Sequence, residues 1–116
     1  MKYMLLMYWD QSKTYQSTPE EYQAAAQAWA AFGKEAAAAG VLLSTNGLAS
    51  ATAATTVRVQ NGKTLTTQGP AVETREQLSG CYLLECKDLD EAIGWAAKIP
   101  AAQDGAVEVR PLWSPG

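Results

Sequence analysis

Tyr3-Met4-Leu5-Leu6-Met7-Tyr8-Trp9 is apolar at every position, with Tyr3, Leu5, Met7 and Trp9 on one alternating face and Met4, Leu6 and Tyr8 on the other. The run is far shorter than the roughly 20 residues a membrane helix needs, and no small-residue cleavage site follows it. It therefore predicts a β-strand that is covered on both faces, in a chain expected to stay in the cytoplasm.

Outward from this strand, Thr18-Pro19-Glu20-Glu21 has the spacing of a capping box, with Pro19 suited to a first helical position. The helix it opens is expected to run through an alanine-rich stretch to Ala39, with Tyr22, Trp29, Phe32 and Ala36 as its apolar stripe and Gly40 as a left-handed stop. Val41 to Leu43 suggests a short strand, followed by a loop to Ala54. Thr55–Gln60 and Lys63–Gln68 alternate about Asn61-Gly62, a pair that accepts positive φ at both turn positions, so a β-hairpin is expected.

Gly69 to Ser79 is polar and reads as a surface connection, and Gly80 to Cys86 as a strand. Asp88 and Glu91 repeat the capping spacing before a helix that reaches Ile99, with Leu89, Ile93, Ala96 and Ala97 as its expected stripe. Ala106 to Arg110 alternates as a last strand, and Pro111 to Gly116 has no regular pattern. This order predicts one α+β domain over residues 1–116, with a ferredoxin-like split β-α-β arrangement, an antiparallel sheet, both helices on one face and an extra β-hairpin. Helices on one face leave the other face open, although the first strand is apolar on both sides. A second copy packed sheet to sheet would cover it, so a homodimer is expected.

A chain of 116 residues suits a single core. Hydrophobic residues make up 47% and charged residues 18%, outside the disordered and fibrous classes. The net charge is −3 and the 9 Lys and Arg are spread along the chain, which argues against nucleic-acid binding. Cys81 and Cys86 lie five apart in a predicted strand, so their side chains leave opposite faces and are expected to remain reduced. With no histidine, two cysteines do not make a structural zinc site, and no metal or cofactor is expected.

Gly69-Pro70-Ala71-Val72-Glu73-Thr74-Arg75-Glu76, running on to Gly80-Cys81-Tyr82-Leu83-Leu84-Glu85, resembles the signature of the DGPF branch of the YCII-related family. That signature usually reads Asp-Gly-Pro-Phe-Ala-Glu-Thr-Lys-Glu before a Gly-aromatic-Leu strand. Lys2 to Tyr8, Ala38 to Leu42, Asp88 to Ala92 and Val107 to Pro111 are also similar to the family. The resemblance implies a dimeric α/β-barrel type of fold with a cleft where sheet and dimer meet. Gln68 stands where the branch usually has Asp, and Ala71 where it usually has Phe. The wider family's chemistry is pictured as a His-Asp pair; with no histidine here, the resemblance assigns no catalytic residue. Some relatives look linked to extracytoplasmic-function sigma factors, which would imply a regulatory partner.

Candidate ligand contacts follow from these readings. Gln68 offers an amide donor and acceptor, and the change from Phe to Ala at position 71 enlarges the expected cleft. Glu73 and Arg75 lie two apart, so they either present Arg75 to an anionic group or form a surface ion pair that orders the loop. Tyr8, Trp9 and Tyr82 either line a pocket or pack in core and dimer contacts. Arg58 either turns into the cleft or faces solvent. Glu85 among apolar neighbours would have a raised pKa, which with Glu73 and Arg75 would suit a lyase or isomerase; at a strand end it would face water. Trp95, off the expected helix stripe, and Trp113 either meet a partner, pack on their own domain, or are single exposed rings.

Overall fold

The computed structural model describes residues 1–12 and 18–114, so the last two residues of the expected irregular tail lie outside it. The described residues form β1 (Lys2–Trp9), α1 (Pro19–Ala38), β2 (Leu42–Gly47), β3 (Thr55–Gln60), β4 (Lys63–Gln68), β5 (Gln77–Glu85), α2 (Leu89–Ala97), α3 (Ala101–Asp104) and β6 (Ala106–Pro111). Four strands make an antiparallel sheet in the order β2-β5-β1-β6, and β3 and β4 form a separate two-stranded ribbon. The architecture is mixed α+β.

Both expected caps form. Thr18 Oγ1 accepts from the Glu21 backbone N–H at 3.1 Å, and Asp88 Oδ1 accepts from that of Glu91 at 2.9 Å. Each satisfies a donor that the first helical turn leaves without an intrahelical partner. Gly40 ends α1 with φ of 76°, and the ribbon turn places Asn61 and Gly62 at φ of 51° and 74°. A non-glycine residue at positive φ is costly unless it is Asn or Asp, which accounts for Asn-Gly at this turn.

The core lies between the sheet and the helices. Tyr3, Leu5 and Met7 of β1, Tyr82 and Leu84 of β5, Phe32 and Ala36 of α1, and Ala92, Ala96 and Ile99 of the α2 region are buried together. Leu5, Leu84 and Ile99 are wholly inaccessible, and burial of such a side chain contributes about 1.5–3 kcal/mol. On the opposite sheet face Met4, Leu6, Tyr8, Cys81 and Leu83 are half-buried, and the helices lie on the other side.

Several expectations need correction. Strand β2 continues to Gly47, because β5 pairs with Ser44, Thr45 and Asn46 and overrides their weak strand preference. Strand β5 begins at Gln77, before the predicted start. Tyr22 is 67% exposed, since α1 reaches the sheet only through its C-terminal half. Of the expected α2 stripe Ala96 is buried, but Leu89, Ile93 and Ala97 are exposed; Ala92 is buried beside Ala96, with Trp95 half-buried next to them. Trp95 meets Phe32 edge to face at 6.2 Å and has the Lys98 ammonium 5.0 Å from its ring centre, so it belongs to the domain's own packing. The short helix α3 was not expected.

Candidate functional site

A bulge aims the site. Pairing between β1 and β5 shifts between Met7 and Tyr8, leaving Ser79 as the extra residue, and its hydroxyl donates to the Met7 carbonyl at 3.2 Å. Bulges of this kind redirect side chains beside functional sites. Beyond it Tyr8 pairs with Leu78 on one side and Ala106 on the other, on the sheet face away from the helices.

The signature loop is folded over this strand end by side-chain bonds. Gln77 Nε2 donates to the carbonyls of Val72 at 3.0 Å and Thr74 at 2.8 Å, and Thr74 Oγ1 donates to that of Glu76 at 2.6 Å. Arg75 Nε donates to Asp10 Oδ2 at 3.1 Å, while the Ser12 hydroxyl donates to Asp10 Oδ1 at 2.6 Å. These bonds, the Ser12 hydroxyl foremost and Arg75 next, hold the Asp10 carboxyl below the usual aspartate range. On the far side, Gln11 Oε1 accepts from the Ala51 N–H at 2.8 Å and fixes a single 3-10 turn, Ala51–Ala53.

Between these supports lies an apolar bay of about 700 Å³, with Leu48, Ala51, Ala71, Val72 and Leu78 in its walls and Tyr8 shared with the strand. A second, more open recess of about 740 Å³ adjoins it through Tyr8, Thr74 and Glu76, and adds Asp10, Arg75 and Glu108. Glu108 is itself ion-paired with Arg110. The two together form one cleft with an apolar end and a polar rim. The rim offers both donors and acceptors, but its carboxylates outnumber its guanidinium.

The structure brings Tyr8, Arg75 and Ala71 to this cleft. Arg75 turns to Asp10 rather than to Glu73, which is exposed and outside the lining. Gln68 and Arg58 are exposed on the ribbon, Arg58 opposite Leu65, and neither lines the bay or the recess. Tyr82 points to the helix face, where Trp29 stacks on it at 6.3 Å and Phe32 meets it edge-on at 4.9 Å. Tyr82 lines a recess on the helix side of the sheet and Arg75 lines the cleft on the other side, so the structure does not bring the two together. Burial pushes the Tyr82 phenol up and so keeps its proton in place.

Glu85 requires a correction. It is exposed at the end of β5 with Oε2 2.6 Å from the Met1 amino group, whose hydrogen bond holds the carboxyl below its ordinary value. Of the two readings of Glu85, the strand-end one that faces water holds, and the raised pKa does not. Both cysteines are free, and burial pushes the Cys86 thiol up, away from reactivity. Asp10 escaped the sequence reading because its partner is 65 positions away; an acid ending an apolar strand was the available signal.

Among the described residues no group of three His, Cys, Asp or Glu is placed to hold a metal ion, and no helix is long and apolar enough to cross a membrane. The fold and cleft define a mixed α+β protein with an antiparallel sheet and a loop-framed recess at the end of its central strand. The model of the YCII-related domain matches residues 1–114, and the chain belongs to that family. It is also similar to an uncharacterized protein of Rhizobium meliloti (strain 1021), at 38% identity over 120 residues that take in 100% of this chain and 97% of that relative.

Proposed function

We propose that this protein is a homodimeric small-molecule binder that holds a compact aromatic or alicyclic compound, carrying a neutral polar end such as a hydroxyl, in the signature-loop cleft. The apolar bay beside the Asp10–Arg75 pair carries this reading. A ring displaces water from Leu48, Ala51, Ala71 and Leu78, and its hydroxyl donates to a carboxylate while accepting from Arg75. Free anions are disfavoured by the nearby carboxylates of Glu76 and Glu108. Ala71 helps set the size of that ligand, since a Phe there would take up part of the bay.

The dimer rests on surface area. The chain exposes 8047 Å², against roughly 6,100 Å² expected of a compact monomer of its mass, a surplus on the order of an interface. Its radius of gyration is 16.3 Å, against about 13 Å for a compact domain of this length. Val57, Val59 and Leu65 are exposed on the ribbon, and a lone two-stranded ribbon is marginal in water. We assign the open sheet face and this ribbon to the second copy, in a ferredoxin-like dimeric barrel of the DGPF branch.

A thermal-shift comparison of p-cresol, toluene and benzoate tests the ligand class. p-Cresol is expected to raise Tm most, and Ala71→Phe to diminish the effect while retaining the fold. Equal shifts with benzoate, or an undiminished shift in Ala71→Phe, would reject it.

A further inference from the structure

A second cavity, of about 360 Å³, lies on the helix side of the sheet between α1, α3 and the strand ends. Its volume is within the range of small-ligand sites. Trp9, Trp29 and Tyr82 contribute aromatic walls, the Met7 side chain adds a polarizable one, and Asp104 of α3 is the charged residue of its described lining. Thr45, Asn46 and Ser79 supply neutral polar groups. Lys and Arg are absent from that lining, unlike that of the signature-loop cleft. Aromatic faces attract cations through their quadrupoles, most strongly when the cation sheds water, and a nearby carboxylate adds to this attraction.

We infer that this cavity is a second ligand site, selective for small organic cations of the quaternary ammonium type, which pack against Trp9, Trp29 and Tyr82 and neutralise Asp104. It lies on the opposite side of the sheet from the signature-loop cleft, so it does not depend on the ligand proposed there. The aromatic wall is held in place by packing: Trp29 stacks on Tyr82 at 6.3 Å, and Phe32 meets Tyr82 edge-on from the core. Trp9 is half-buried at the end of β1, and its indole reports occupancy by fluorescence.

The experiment is a fluorescence titration of the full chain with choline, and in parallel with 3,3-dimethyl-1-butanol, its neutral carbon isostere. Choline is expected to give a saturable change and to bind at least about tenfold more tightly than the isostere. Asp104→Asn, at an exposed position, is expected to weaken choline several-fold without moving the urea midpoint, and Trp9→Leu to remove most of the affinity. Equal affinity for choline and the isostere, no saturable choline response, or an unchanged choline affinity in Asp104→Asn would each overturn the inference.

Discussion

Asp10 and Arg75 meet at 3.1 Å across 65 positions of sequence, and their contact ties the end of the central strand to the signature loop. The Asp10 side chain is only 14% exposed and that of Arg75 is 83% exposed, so the carboxylate is the enclosed partner and the arginine the exposed one. The pair serves the loop's position more than the protein's overall stability.

This sets a pH dependence. A carboxyl whose pKa is lowered by folding contributes stability that is fully present above its unfolded value and is lost as pH falls through the folded value. Asp10 is so lowered; loop anchoring is therefore expected to be intact at neutral pH and to fail only as pH falls past the ordinary aspartate value and through the lowered one. An NMR titration of the Asp10 carboxyl, with amide exchange in residues 72–76, reads both. Asp10→Asn should loosen the loop at every pH, and titration at or above the ordinary aspartate value would contradict the account.

Two glycines in similar solvent exposure are expected to respond oppositely to alanine. A Cβ at Gly105 would collide with the backbone carbonyl of Tyr8, whereas one at Gly33, inside α1, would meet nothing within 4 Å. Gly105→Ala should lose about 1–3 kcal/mol in urea unfolding, and Gly33→Ala should gain up to about 1 kcal/mol. Equal effects at the two positions would remove the steric argument.

Charge on the open sheet face should separate the proposed dimer. Leu6 and Leu83 are half-buried there, on neighbouring strands and the same face. Leu6→Lys or Leu83→Lys is expected to turn the dimer into a monomer in sedimentation equilibrium, whereas Tyr22→Lys on the exposed part of α1 is not. A wild-type protein that stays monomeric at high concentration would refute the arrangement.

Local chemistry was legible in the sequence. Thr18, Asp88 and the Asn61-Gly62 turn each act within a few residues, and each forms as its spacing requires. Long-range effects were not. The extension of β2 through Ser44, Thr45 and Asn46 is imposed by β5, and α3 is a four-residue element too short to show a hydrophobic period. In α2, Leu89, Ile93, Ala96 and Ala97 form the apparent inner stripe, but of these only Ala96 is buried, beside Ala92. For the site, Tyr8, Ala71 and Arg75 could be read from strand alternation and the signature. The separation of Tyr82 from them depends on which sheet face the helices cover, and Asp10 depends on a contact made only in the fold.

Chemical-shift mapping with p-cresol reads whether the signature-loop cleft holds a ring with a neutral polar end. Saturable shifts are expected, centred on Leu48, Ala51, Ala71 and Leu78, with a smaller response at the Arg75 side-chain N–H. Shifts centred instead on Trp9, Trp29 and Tyr82, or no saturable shifts, would contradict it.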